Sequence, residues 1–245
     1  MSTPREALSP DLTEIVPVPN VGRLFERSLQ PGLADAAPSG RVRMDGLARW
    51  VQDLAYADVV DAGYAEESHW VVRRMRIRVE RFPRFGDEIQ AVTFCSGYGR
   101  LWAERRVTFE GTGSLVEIAG VWVHLDPESR MPAPMPESFD RLYAPSALGR
   151  KVKARLRHQN PSGDEKPTSW FFRATDADVA DHVNNAAYWE PFEELLAQGP
   201  EPVTLDAEIE FREPAQPGEA TILRGERMLW VTALDGRVHA SIAAP

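Results

Sequence analysis

The residues most able to do chemistry in this sequence stand close together between positions 178 and 185. Asp178 is followed within a few residues by His182, and Asn184 and Asn185 follow after one intervening valine. A carboxylate can take a proton from water, and an imidazole can orient that carboxylate or donate a hydrogen bond. Amides can stabilise the negative charge that develops on a carbonyl oxygen. The stretch therefore contains the components of a hydrolytic site, at a point where a predicted strand gives way to a predicted helix.

The same residues also have a purely structural interpretation. Asp178 can cap the following helix by accepting its first amide hydrogens. An isolated histidine such as His182 is more often structural than catalytic. Farther along, Glu213 ends a predicted strand, where charged residues are usually solvated. Residue types alone do not decide between the two interpretations.

The spacing of these residues resembles a known signature. Asp178, His182-Val183-Asn184-Asn185 and Tyr188 fit the pattern Asp-x-x-x-His-Val-Asn-Asn-x-x-Tyr of the hot-dog thioesterases. Two first-half segments, 70–75 (WVVRRM) and 81–88 (RFPRFGDE), narrow the resemblance to the acyl-acyl-carrier-protein thioesterases. The resemblance implies a fatty thioester as substrate and free fatty acid as product.

Site roles follow from that resemblance and are expectations. It implies an active-site Asp at Asp178, the His at His182 and a downstream Glu at Glu213. Either Asp178 or Glu213 would activate water, while His182 would orient a carboxylate or donate to the thioester oxygen. Asn184 or Asn185 would supply an amide.

This sequence departs from the plant members of the family at two positions. Ala180 stands where they have Asn, and Pro214 stands where they have Cys. Alanine cannot orient a water or polarise a carbonyl. Either one of the two asparagines supplies the amide, or the activity differs from the plant pattern.

Hydrophobic periodicity predicts the elements that position these residues. Apolar residues at three- and four-residue steps predict a helix over 44–63, and we expect four of them to line an acyl-chain groove. These four are Leu47, Trp50, Val51 and Leu54. Strict alternation over 74–80 predicts a half-buried strand. The second half repeats this order, with a helix over 182–197 and a strand over 203–212.

The repetition predicts two copies of one unit. Tyr56 and Tyr188, Val51 and Val183, and Ile77 and Ile209 all share one separation along the chain, which indicates duplication. We therefore predict an α+β double hot-dog, with a central helix wrapped by an antiparallel sheet in each unit. The predicted parts are an N-terminal half over 20–139 with the acyl pocket, a connector over 140–167, and a C-terminal half over 168–245 with the catalytic motif.

Composition excludes several classes of protein. The net charge of −9 disfavours a general nucleic-acid binder. Residues 1–20 lack the apolar run of a signal peptide, no stretch is long enough for a membrane span, and the single Cys95 excludes an internal disulfide, so we expect a cytoplasmic protein. The scattered histidines and the absence of glycine-rich phosphate loops and of a serine-hydrolase elbow predict no metal or other cofactor.

A basic stretch suggests a partner. Lys151, Lys153 and Arg155 lie in the predicted connector of an acidic protein, and they are candidates for docking an acidic acyl carrier protein. A solvated linker is the competing interpretation. A coenzyme A thioesterase of the same fold and a non-catalytic acyl-binding protein remain alternatives. The chain can be a monomer with an internal pseudo-dimer or a homodimer.

Overall fold

The computed structural model describes residues 12–244. Most of the segment 1–20, for which the sequence predicts no signal peptide, and the last residue of the predicted C-terminal half lie outside the described residues. Within residues 12–244, no helix has the length and apolar character needed to cross a membrane.

Three helices and ten strands make up the described chain, joined by short 3-10 turns. The helices are α1 (Met44–Asp61), α2 (Glu137–Leu142) and α3 (Glu190–Ala197). The strands are β1 (Phe25–Leu29), β2 (Trp70–Arg81), β3 (Ile89–Tyr98), β4 (Trp102–Gly111), β5 (Ser114–His124), β6 (Lys166–Phe172), β7 (Leu205–Phe211), β8 (Gly218–Arg224), β9 (Met228–Thr232) and β10 (Val238–Ala243).

The strands of the described chain form one antiparallel sheet in the order β1-β3-β4-β5-β2-β7-β10-β9-β8-β6. Each half contributes five neighbouring strands, and β2 and β7 meet at the centre with Ile77 opposite Ala207. Helix α1 and the segment leading into α3 pack on the inner face in one apolar core. The predicted fold class, two hot-dog units in tandem, is confirmed.

Alternation along β2 explains how the halves join. Its apolar residues Met75, Ile77 and Val79 are buried against the helices. Three of its arginines point to the outer face, where they stand opposite acidic residues of β7. The facing pairs are Arg74 with Glu210, Arg76 with Glu208, and Arg78 with Asp206. Opposite charges directly across a strand pair stabilise its register.

The connector crosses the outer face of the sheet and covers these charges. Arg74 donates to the carbonyl oxygens of Lys153 (2.8 Å) and Arg155 (2.6 Å). The Glu210 carboxylate accepts the backbone N–H groups of Arg157 (2.6 Å) and His158 (3.0 Å). Buried polar groups of the sheet are thus satisfied by a segment without regular structure of its own.

Two loops reveal the duplication at the level of hydrogen bonds. Residues 37–41 and 178–182 form the same tight turn, in which the first N–H donates to the fifth carbonyl at 2.7 and 2.9 Å. In both, the fourth N–H donates to the first carbonyl, at 2.8 and 3.0 Å. The fourth residues are Gly40 and Asp181, and both have positive φ angles, 87° and 60°.

The single separation inferred from the sequence is therefore wrong for the helices. The turns end in matching bridges at Val42 and Val183, so Val183 corresponds to Val42 and not to Val51. Tyr56 and Tyr188 are likewise not equivalent, because Tyr56 is 68% exposed and Tyr188 is 2% exposed. The helical part of the second half is shorter, which shifts the repeat between the helices and the strands.

We expect acid to destabilise this fold partly through His158. Its side chain is fully buried, and burial lowers its pKa below the ordinary 6.5, although Glu210 and Glu208 oppose the shift. The unfolded chain then binds a proton that the folded chain does not, so the free energy of unfolding falls as the pH drops below about 6.5.

The His158→Gln variant should lose this part of the pH dependence. Urea unfolding at about pH 7.5 and about pH 5 measures it, with His69→Gln as the control substitution. An equally steep loss of stability in His158→Gln and the unsubstituted protein would contradict the assignment.

Candidate active site

A cavity of about 450 Å³ opens beside the turn at 178–182 and extends along helix α1. Four of the five predicted catalytic residues line it: Asp178, His182, Asn185 and Glu213. The fifth, Asn184, lies directly behind Asp178. Residues that are distant in sequence, from the end of β7 and from the turn, therefore share one cavity.

The Asp178 carboxylate is held by two donors. One oxygen accepts the backbone N–H of Ala180 at 2.9 Å, and the other accepts the Asn184 side-chain amide at 3.0 Å. Two hydrogen bonds to separate oxygens fix the plane of the carboxylate without covering it, so Asp178 still lines the cavity. The helix-capping interpretation of Asp178 fails, since its carboxylate binds no amide of α3 or of the 3-10 turn before it.

Asn184 is itself fixed by the other half of the molecule. Its side-chain nitrogen donates to Gln52 on α1 at 3.1 Å, and the Gln52 amide nitrogen returns a bond to the Asn184 oxygen at 3.0 Å. A reciprocal amide pair has one geometry, and it joins the first-half helix to the second-half turn. Sequence reasoning missed Gln52, because a single polar residue on an amphipathic helix looks like any exposed position.

The His182 imidazole is free to meet a substrate. Its ring lines the cavity, and its backbone carbonyl accepts the Asp178 N–H at 2.9 Å. Among the hydrogen bonds recorded for residues 12–244, none uses its ring nitrogens. One of them is then available to donate to an oxygen in the cavity.

Glu213 reaches the cavity on a separate loop. The Val183 N–H donates to the Ala215 carbonyl at 3.0 Å, and the Ala215 N–H donates to the Tyr188 hydroxyl at 2.8 Å, so the loop is tied to the turn. The Glu213 carboxylate accepts from Arg237 at 3.1 Å, and its side chain is 53% exposed. It is the more solvated of the two candidate bases.

The helix predicted to begin near His182 begins later. A 3-10 turn covers Ala187–Trp189, and α3 starts at Glu190 with Pro191 in its first turn. Asn184 explains the delay, because its side-chain oxygen accepts the Ala186 N–H at 2.8 Å and its own N–H donates to Asp176 at 2.8 Å. A helix N-terminus therefore does not point at His182, and the Asn185 amide is a neutral donor of the motif that lines the cavity.

The predicted substrate-binding residues do not line the cavity. The apolar stripe of α1 packs in the main core, and its members are Leu47, Trp50, Val51 and Leu54. An adjacent side of the same helix faces the cavity, and it carries Gln52, Ala55, Tyr56 and Val59. Periodicity identifies the most apolar face, which a well-packed core uses; a cavity wall tolerates mixed residues.

The first half contains the same turn without its chemistry. Ala37 and Arg41 stand at the places of Asp178 and His182, as the matching hydrogen bonds show. Arg41 forms a buried ion pair with Glu193 of α3, and Glu193 also accepts the Met44 N–H at 3.0 Å. An ion pair thus occupies the position in the first-half turn that corresponds to the carboxylate and imidazole of the second-half turn.

Two separate groups of basic residues lie on the connector and in the cavity wall. Lys151, Lys153 and Arg155 are exposed on the connector and do not line the cavity. Lys151 lies over the Tyr98 ring, 3.6 Å from its centroid. The cavity itself is lined by four arginines that sequence reasoning did not select: Arg73, Arg105, Arg130 and Arg212.

Two other groups could in principle be reactive or bind a metal ion, but their surroundings argue against either role. Cys95 lines the cavity, but burial raises the pKa of its thiol to about 11, so it stays protonated near neutral pH. In the described part of the chain, His158, Glu208 and Glu210 are close enough to hold a metal ion. Arg157 and backbone N–H groups already bind these carboxylates, which balances their charge.

Comparison with known proteins agrees with the fold. Residues 22–143 match the family model described as acyl-ACP thioesterase N-terminal domain. An uncharacterised protein of Mycobacterium tuberculosis is 28% identical over 92% of this chain and 94% of its own length. A chloroplastic acyl-[acyl-carrier-protein] hydrolase of Cuphea viscosissima is 28% identical over 51% of this chain, which is 32% of the plant protein.

Solved structures extend the likeness to both halves. An acyl-ACP thioesterase from Bacteroides thetaiotaomicron has a TM-score of 0.72 at 16% identity, covering 90% of this chain and 96% of its own. The 12:0-ACP thioesterase from Umbellularia californica has a TM-score of 0.70 at 18% identity, with 90% and 96% covered. The chain therefore belongs to the acyl-ACP thioesterase family, in sequence through its first half and in fold through both.

Proposed function

We propose that this protein hydrolyses fatty acyl-acyl-carrier-protein to a free fatty acid and the carrier protein. The family and fold support a thioester hydrolase. The observation that carries the proposal is the meeting of a fixed carboxylate, Asp178, and an unbonded imidazole, His182, at the mouth of a largely apolar cavity. Fatty acid biosynthesis in the cytoplasm is the proposed setting.

Asp178 is the proposed base. A water molecule between Asp178 and the thioester gives its proton to the carboxylate while its oxygen attacks the carbonyl carbon. Negative charge moves to the carbonyl oxygen, where the His182 ring and the Asn185 amide can donate. The carbon–sulfur bond then breaks, and the leaving thiolate takes the proton that Asp178 received from water, which regenerates the carboxylate. Glu213 is the weaker candidate, because Arg237 binds its carboxylate and solvent reaches it.

The carrier is proposed from charge. Arg73, Arg130 and Arg212 at the cavity suit the phosphate of a pantetheine arm, which an acyl carrier protein and coenzyme A both possess. The exposed Lys151, Lys153 and Arg155 suit the acidic surface of a carrier protein. A coenzyme A thioesterase is the alternative that uses the arginines alone, and the oligomeric state is proposed as a monomer or a homodimer.

Ala180 favours a second candidate function, a non-catalytic acyl-binding protein. Its methyl group lines the cavity where the plant relatives' pattern has an amide. Binding of an acyl thioester without release of free thiol would identify this function.

Replacing Asp178 by Asn tests the hydrolytic role. We expect kcat for acyl-carrier thioester hydrolysis to fall about 10²–10⁴-fold, the usual contribution of a general base. Release of free thiol measures the rate, and melting temperature checks the fold. Asp53→Asn, an exposed position on α1, is the matched control and should keep the original rate. Equal rates for the two variants would exclude Asp178 as the base.

Neutralising the connector tests carrier docking. Replacing Lys151, Lys153 and Arg155 together by Gln should raise KM for the carrier-bound substrate, because long-range attraction to an acidic partner is lost. A small acyl thioester should keep its KM. Higher salt should raise the KM of the unsubstituted protein for the carrier-bound substrate until it approaches that of the variant, because salt screens the attraction. Equal changes for both substrates would remove the docking role of these residues.

A further inference from the structure

The inner end of the cavity differs from its entrance. From Gln52 beside the catalytic turn, the cavity wall follows α1 to Val59, a rise of about 10 Å at 1.5 Å per residue. Beyond Val59 it is lined by a cluster that is separate from the main core. The cluster members that line the cavity are Val59, Tyr64, Cys95, Ala103, Phe139 and Tyr143.

A guanidinium lies in this inner wall. Arg105 projects from β4, and its Nη1 donates to Asp58 at 2.6 Å and to Thr93 at 3.1 Å. The Asp58 side chain is 1% exposed and the Arg105 side chain 14% exposed, so the cation is the partner that lines the cavity. A pocket intended only for hydrocarbon would not be expected to present a charged group there.

Two tyrosine rings lie at the same place. The Tyr64 and Tyr143 rings contact each other with centroids 5.5 Å apart, and the Arg105 guanidinium lies 5.8 Å from the Tyr143 ring centroid. Tyr64 is 1% exposed, and its hydroxyl has no hydrogen-bond partner among the described residues. The inner end therefore contains donors that the folded chain leaves unsatisfied.

Energetics favour a polar occupant. A hydrocarbon tail would remove water from Arg105 and would leave the buried Tyr64 hydroxyl without a hydrogen-bond partner, and both effects are unfavourable. A buried ion pair is also weak evidence of a role in stability, because apolar residues of similar volume often serve as well. The polar inner end is better explained by what it binds.

Charge balance indicates an uncharged polar group. Asp58 also accepts from Arg23 at 2.7 Å, and Arg23 pairs with Asp61 at 2.6 Å. The two arginines and two aspartates cancel, so no net positive charge remains for a carboxylate. A hydroxyl or keto oxygen satisfies the donors without adding charge.

We propose that the acyl group cleaved here carries a hydroxyl or keto oxygen about 10 Å from its thioester carbonyl, a distance set by the helical rise along α1, and that Arg105 and Tyr64 bind this oxygen. This inference rests on the proposed function, since it names the substrate class of the same site.

Matched pantetheine thioesters test it with the full chain. We compare kcat/KM for octanoyl, 8-hydroxyoctanoyl and 7-carboxyheptanoyl substrates by release of free thiol. The hydroxylated substrate should exceed octanoyl by about tenfold, as one added hydrogen bond to a charged group predicts. Equal rates, or a preference for octanoyl or the carboxylate, would overturn the proposal. No hydrolysis of any thioester would instead count against the proposed function.

Variants locate the preference. Arg105→Met should bring the ratio of hydroxylated to plain substrate close to one, and Tyr64→Phe should lower it. Arg76→Met is the matched control, because Arg76 forms a 2.6 Å ion pair and is 16% exposed but lies on the outer face; its ratio should stay at the original value. Arg105→Met leaves Asp58 without one of its partners. If Arg105→Met does not fold, the result for Tyr64→Phe alone tests the proposal. If Tyr64→Phe and folded Arg105→Met both kept the unsubstituted protein's ratio of kcat/KM for the hydroxylated over the plain substrate, the assignment would be overturned.

Discussion

The reciprocal amide pair between Gln52 and Asn184 is the contact on which the site depends. It is the point where the first-half helix touches the second-half turn through side chains of fixed geometry. Asn184 then passes that constraint to the Asp178 carboxylate. A carboxylate on a loop is a poor base unless its orientation is set, because misplacement of a reacting group greatly reduces its contribution to the rate. In the proposed mechanism, the two halves therefore need each other for chemistry as well as for packing.

Duplication gave two copies of the same turn, and the copies now do different work. In the second half, the turn presents a carboxylate and an imidazole to the cavity. In the first half, Arg41 fills the corresponding place and pairs with Glu193. That ion pair is buried, so removing one partner would leave a charge without compensation. One half of the repeat thus supports the fold at this position, while the other supplies the proposed reactive groups.

Sequence reasoning recovers the features that periodicity and motifs encode. Helix α1 and strand β2 follow from hydrophobic spacing, and the structure contains both. Asp178 and His182 were selected through the resemblance to the hot-dog signature, and both line one cavity. Spacing does not encode which buried face borders a cavity, so Leu47 and its neighbours were assigned to the groove although they pack in the core. The position of Gln52 depends on how the two halves dock.

Hydrophobic periodicity also does not predict the late start of α3. It results from side-chain hydrogen bonds of Asn184 that compete with helical ones, a local effect that hydrophobic spacing does not report. Asn184 thereby does two things at once: it delays the helix and it orients Asp178. The departure from regular structure is located at the residues that carry the proposed chemistry.

A double-mutant cycle between Gln52 and Asp178 tests the central claim most directly. Gln52→Leu alone should lower kcat about tenfold, the usual effect of losing hydrogen bonds that position a charged group, with little change in KM or melting temperature. In the Asp178→Asn background the same substitution should have almost no further effect, because the two residues act as one unit. Additive losses in kcat would contradict the account.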